Sequence, residues 1–191
     1  MAATLDRLLA SHRSAADEFL AAAERVAPAR WNTPRGAGKW TPGQEVTHVA
    51  LVCAAFTRDL RSEGQLRLVG SAWKRLLWRA IGLTSILHLR KIPGGVRAPR
   101  EVRPPDVPAD RASQLGTFRK TVEEFETEFA DAWRTTPGKR ITHPYFGTLS
   151  LKQSISVSEV HFRHHAAFLR QSASSASAPA VVTATSTPVR T

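Results

Sequence analysis

Three of the seven histidines fall within five positions, in the run from Ser158 to Leu169 that holds His161, His164 and His165. His161 and His165 are spaced i, i+4, which on a helix places both imidazoles on one face, a turn apart. Two rings so placed can grip one divalent cation, but a stable site needs a third ligand from elsewhere in the chain. The best candidate is His48, which closes the run Trp40-Thr41-Pro42-Gly43-Gln44-Glu45-Val46-Thr47-His48. Three neutral imidazoles suit zinc or nickel, and spacing does not choose between them. Three protein ligands also leave a coordination position open, as a catalytic rather than a structural site requires. A water or thiol held there would be acidified by the cation's charge. His164 points about 100° away from His165 around the helix and makes a poor co-ligand. Glu45 and Glu159 are the nearest acids, and neither stands at a spacing that marks a general base, so the catalytic residues stay unassigned.

The elements that must carry these residues are helical. Leu5, Leu8, Leu9, His12, Ala16, Phe19, Leu20, Ala23 and Val26 recur with the period of an amphipathic helix that ends before Pro28. His12 lies on its apolar face and reads as a buried, hydrogen-bonded core residue. Thr41 as N-cap, Pro42 at the first helical position and Gln44 in the capping-box place open a second helix. Its apolar face runs Val46, Val49, Ala50, Cys53, Phe56, Leu60. A third long helix spans Asp110 to Trp133, with Glu123, Glu124, Glu126 and Glu128 read as its solvated face. Pro137-Gly138 ends it, a turn follows at His143 to Gly147, and Ser150 caps a fourth helix. Between the second and third long helices, Trp73, Leu76, Leu77, Ala80, Ile81 and Thr84 form one face of a short extra helix. That face is expected to pack on the body; a membrane-surface helix is the alternative, having the right mix of Trp, Leu and Arg. Residues 1–170 make one domain, and 171–191, rich in Ser, Ala and Thr, reads as a disordered tail.

Four helices of similar length imply an all-α fold, a four-helix bundle. The first two are joined by a short loop and run antiparallel, as do the last two. The middle connection exceeds forty residues, enough to run back along the bundle. Up-down-up-down would put His48 and the His161/His165 pair at opposite ends. Up-down-down-up puts them at one level and needs a long crossover. This topology is therefore expected, with His12 toward the far end.

Composition sets further bounds. With 191 residues, 42% of them hydrophobic, the chain can bury one core. Its apolar runs fall short of the ~18 residues of a membrane span, and Asp6 and Arg7 interrupt the start where a signal peptide would be apolar. Cys53, the only cysteine, reads as a core thiol and fits a reducing compartment, so a cytoplasmic location is expected. The net charge of +11 is concentrated between Arg58 and Arg103, where eleven basic residues meet three acidic ones. That surplus favours anions in general, but no nucleic-acid motif accompanies it.

The tryptophan-to-histidine run at 39–48, the His143-Pro144-Tyr145-Phe146-Gly147 turn and the closing His161/His164/His165 cluster, in this order, resemble the DinB/YfiT-like superfamily. The resemblance covers roughly residues 1–170. It implies an up-down-down-up bundle, often a homodimer, with a divalent metal on His48, His161 and His165. It also implies chemistry of the kind known in characterised relatives, thiol-dependent transfer or isomerisation using a low-molecular-weight thiol as co-substrate. The sequence departs from the family at Ala167-Phe168, where relatives commonly carry a polar glutamine. The expected function is thus a metal-dependent thiol S-transferase or hydrolase acting on a small-molecule substrate. The competing class is a non-enzymatic protein that docks an anionic partner or surface, nucleic acid or membrane, through residues 58–103.

Overall fold

A computed structural model describes residues 2–93 and 97–174. Helix α1 spans Ala2–Glu24, α2 Pro42–Leu60, α4 Arg111–Thr135 and α5 Leu151–Ser174. The short α3, Ala72–Trp78, lies in the crossover and continues into wider π-type turns at Arg79–Leu83 and Ser85–Leu89. Strands β1 (Arg140–His143) and β2 (Gly147–Ser150) form an antiparallel hairpin between α4 and α5, pairing Ile141 with Leu149. Where the sequence predicts a plain turn at His143 to Gly147, the chain forms this hairpin. Gly147, at φ +69°, supplies the left-handed residue that lets the chain reverse there.

Side-chain bonds across the bundle fix its topology. Ser11 meets Glu159 and Arg163 meets Glu18, so α1 and α5 run parallel. Thr47 meets Gln114 and Arg61 meets Glu128, so α2 and α4 also run parallel. Glu45 meets His165 and His48 meets His161, so α2 and α5 run antiparallel. The order is up-down-down-up, as expected from the long crossover together with the need to bring His48 level with His161 and His165.

The caps at Thr41 and Ser150 are those expected, and Asp110 adds a third. The Thr41 hydroxyl accepts from Gln44 N at 3.1 Å while the Gln44 side chain accepts from Thr41 N at 3.0 Å. Ser150 and Gln153 repeat this reciprocal pair at the start of α5. Asp110 caps α4 through Ser113 N. Each such cap is worth on the order of 1 kcal/mol and fixes where the helix begins. α5 carries on for a turn past Arg170, through Ser174; the rest of the expected tail, 175–191, lies outside the described residues.

Three expectations are corrected. Glu126 is not on a solvated face: it is buried, accepting from His12 Nδ1 at 2.9 Å and from Arg13 Nε at 2.6 Å. A buried carboxylate needs such partners, and α1 supplies both. His12 is a buried, hydrogen-bonded core residue as expected, but it is not at the far end. It lies next to the midpoint of α1 and bonds Ser158, less than a turn of helix from His161. Lastly, the apolar face of the crossover helix does not pack on the body. Trp73, Leu76, Leu77 and Ile81 are 64, 69, 51 and 61% exposed. The segment is held instead by Leu83 and Ile86, which join Phe146, Leu149, Val157 and Val160 in a small core of their own.

Candidate metal centre

His48 rises from the second turn of α2, and His161 and His165 stand one turn apart on α5 facing it. The antiparallel packing of the two helices brings all three rings to one level. His161 Nε2 lies 3.2 Å from His48 Nε2 and 3.1 Å from His165 Nε2. One ring nitrogen from each histidine lies within 4.8 Å of the others, so the trio could hold a metal ion.

The outer nitrogens determine what the inner ones present. His48 Nδ1 donates to the carbonyl of Val102 at 2.7 Å. A carbonyl only accepts, so His48 carries its hydrogen on Nδ1 and turns an Nε2 lone pair inward. His165 Nδ1 lies 2.6 Å from Glu45 Oε2. With Glu45 ionised, His165 donates outward and likewise turns a lone pair inward. His161 can place at most one hydrogen on Nε2, and that hydrogen cannot satisfy two lone pairs aimed at it from different sides. A cation satisfies all three. The donor set therefore fits a divalent metal, with the carbonyl and carboxylate partners that metal-ligating histidines commonly have.

Electrostatics agree with this. Burial lowers the pKa of His48, opposed by the Val102 carbonyl and by Glu45. Burial, with each histidine repelling charge on its neighbours, holds His161 and His165 well below the ordinary histidine value. All three are neutral at pH 7, the form that binds metal. Burial also pushes Glu45 up to about 7, against the pull of Arg35, so the inward lone pair on His165 belongs to the ionised form of a carboxyl that titrates near neutrality. Arg35 itself lies 3.5 Å from Glu45 and stacks its guanidinium 3.9 Å from the centre of the Phe168 ring. Phe168, which occupies a position near the family's usual glutamine, thus helps seat the arginine that steadies Glu45.

The remaining candidates separate cleanly. His164 is half-buried, its ring 5.3 Å from His165 and 4.6 Å from Phe168, outside the converging trio. Glu159 is engaged by Ser11, Arg90 and Arg163. Burial opposes its ionisation, but these bonds outweigh burial and hold its carboxyl below the usual range, which disqualifies it as a base. Cys53 is buried and its thiol is pushed up to about 12 by burial, so it is a core residue, as read. His88 is exposed.

Val102 was not read from the sequence, and Glu45 was read only as a weak nearby acid, not as the partner of His165. Val102 lies in the crossover, and nothing local announces that its carbonyl returns to α2. Glu45 stands three residues before His48 and therefore on the same helical face, a signal that could have placed it beside the centre. Trp40 completes the wall, its ring 4.8 Å from His48 and 6.5 Å from His165. Trp40 also lines a surface cavity of about 430 Å³ with Lys39, Thr41, Gln44 and Arg103.

An antiparallel helix pair carrying three inward-facing histidines, inside an up-down-down-up bundle, defines a helical bundle with a histidine trio that could hold a metal ion. The chain belongs to the DinB superfamily, which matches residues 11–169. No curated protein and no solved structure gives a significant match.

Proposed function

We infer that this protein is a divalent-metal-dependent enzyme that joins a thiol or water to a small electrophilic substrate. The observation that supports this reading is the convergence of three Nε2 atoms with the outer nitrogens of His48 and His165 already held by Val102 and Glu45. His48, His161 and His165 would hold zinc or nickel. Bound there, the cation would supply Lewis acidity, making a thiol or water a stronger nucleophile at neutral pH.

The chain's own residues do the rest. Val102 and Glu45 fix the tautomers and ring planes of two ligands. Trp40 packs against His48 and His165 on one side of the trio. The cavity that Trp40 shares with Lys39, Thr41, Gln44 and Arg103 gives a small substrate a place to sit, with two cations for an anionic group. Family kinship favours a low-molecular-weight thiol as the co-substrate.

Elemental analysis of untagged protein purified without chelator tests the reading. About one zinc or nickel per chain is expected, as a three-histidine site would take. The His161→Ala/His165→Ala variant should contain none, and His48→Ala should lose the metal while keeping its helical circular dichroism. Loading would then justify a screen of thiol-transfer substrates. No metal in the wild type, even after incubation with zinc or nickel, would retire the enzyme.

A further inference from the structure

The crossover carries a second feature that the histidine centre does not use. From Ala72 to Leu89 the chain is tied to the body along one side only. Arg79 Nη1 donates to the carbonyls of Phe146 and Thr148 at 2.9 and 2.7 Å. Trp78 meets Tyr145, and Gly82 lies so close to Phe146 that a Cβ there would stand 3.0 Å from its ring. Leu83 and Ile86 are buried beneath. The helix is therefore held in one orientation, and the side turned away from the body is fixed as well.

That outward side is apolar. Trp73, Leu76, Leu77, Ile81 and Leu89 are between 51 and 69% exposed, and Leu68 and Val69 extend the surface at 48 and 38%. Such exposure means that the side chains stand out as a ridge rather than lining a groove. The charge carried by this stretch of chain has one sign, although Glu101 and Glu159 from outside it pair with Arg67 and Arg90. From Gln65 to Arg100 there are eight lysines and arginines and no aspartate or glutamate. Arg75, like Arg79, spends its hydrogen bonds on a main-chain carbonyl, that of Gly70, and keeps its full positive charge. Lys74 Nζ lies 5.8 Å from the centre of the Trp73 ring, beside the apolar ridge.

We propose that the Ala72–Leu89 segment docks the protein on an anionic lipid bilayer, Trp73, Leu76, Leu77 and Ile81 entering the headgroup boundary while Lys74 and Arg75 meet lipid phosphates. Tryptophan and leucine on one face with arginine and lysine beside it is the composition of a helix that lies in a membrane interface. Charge argues for this occupant over a second copy of the chain. A symmetric dimer through this face would set each cationic segment against its twin, whereas an anionic surface neutralises it. Among the described residues no helix is long and apolar enough to cross a membrane, so the segment would lie on the surface. The proposal is independent of whether the histidines bind metal.

Flotation of the full-length protein with vesicles of phosphatidylcholine alone, or mixed equally with phosphatidylglycerol, tests it. Binding to the anionic vesicles should exceed binding to the neutral ones by about tenfold or more and weaken between 0.1 and 0.5 M salt, on the order expected for several basic residues near the surface. Leu76→Ser/Leu77→Ser, at exposed positions, should lose about tenfold in partitioning with unchanged circular dichroism. A blue shift of tryptophan emission on binding should vanish in Trp73→Phe. No binding by the wild type overturns the proposal. So does binding that survives Leu76→Ser/Leu77→Ser undiminished, since charge alone would then explain it. A lipid-independent dimer that Leu76→Ser/Leu77→Ser dissolves, without vesicle binding, also overturns it and assigns the face to a second copy.

Discussion

Glu45 reaches His165 from the facing helix, and its carboxylate decides which nitrogen of that ring carries the hydrogen. Glu45→Gln keeps the side-chain length but can present its amide donor to His165 Nδ1, which would favour the tautomer with Nε2 protonated. Metal affinity should fall roughly 10- to 100-fold, the usual cost of losing an outer partner of a ligating histidine, with the bundle still folded; competition against a chromogenic chelator measures it. An unchanged affinity would mean that Glu45 does not orient His165. His143, in the hairpin, makes a different prediction. Its ring stacks 4.2 Å from Phe146, and burial lowers its pKa to about 3. An unfolded histidine titrates near 6.5. Below that pH the unfolded chain takes up a proton that the folded one refuses, so this contribution to stability is complete above 6.5 and drains as pH falls toward 3. His143→Asn keeps an acceptor for Tyr145 N and cannot titrate. Its stability should fall less steeply than the wild type's between pH 6.5 and 4, by up to about 1.4 kcal/mol per pH unit, in denaturant titrations; parallel slopes would show that His143 does not cause the loss.

At the scale of elements, the start of α2 sets the height of His48, and a knot of side chains sets the start of α2. Trp31 Nε1 donates to Gln114 Oε1 at 2.6 Å, while Gln114 Nε2 donates to the Gly43 carbonyl at 3.0 Å and to Thr47 Oγ1 at 2.6 Å. A Cβ on Gly43 would stand 2.8 Å from both Gln114 Oε1 and Trp31 Nε1. Gly43→Ala should therefore destabilise the fold by about 1–3 kcal/mol in urea unfolding, despite the better helix propensity of alanine; a neutral or stabilising result would show that the knot is slack. What could be read in advance follows the same division. The caps at Thr41 and Ser150 were legible because the chemistry of a cap is complete within four residues. The trio was legible because i, i+4 spacing and the length of the crossover are both counts along the chain. Glu126 was misread because an acidic run on one helix looks solvated until another helix supplies His12 and Arg13. The ridge at Trp73 to Ile81 was misread for a related reason: periodicity shows that a face is apolar, not that anything covers it. Val102 was invisible because any residue can offer a carbonyl.

For the whole molecule, the question is whether a metal would hold the bundle together or merely occupy it. The apolar core does not run through the histidines. One buried group, with Phe19, Trp31, Val49, Phe118, Phe162 and Leu169, joins all four long helices. A second, with Leu5, Leu9, Phe56, Phe125, Phe129 and Ile155, joins them again and includes the hairpin through Ile141. Between them His12 links three helices through Glu126 and Ser158 without a cation. Both apolar groups join the four long helices without including a histidine of the trio, so the core is continuous apart from the site. Metal should act only as a ligand that binds the folded state. At a free concentration 100-fold above its dissociation constant it would add about 2.7 kcal/mol, raising the melting temperature by roughly 5–10 °C for a chain of this size. Chelator should reverse that rise and leave the far-ultraviolet circular dichroism at 20 °C unchanged. Loss of helical signal on chelation would mean that α2 and α5 need the cation to stay together, and the site would then be structural rather than open for chemistry.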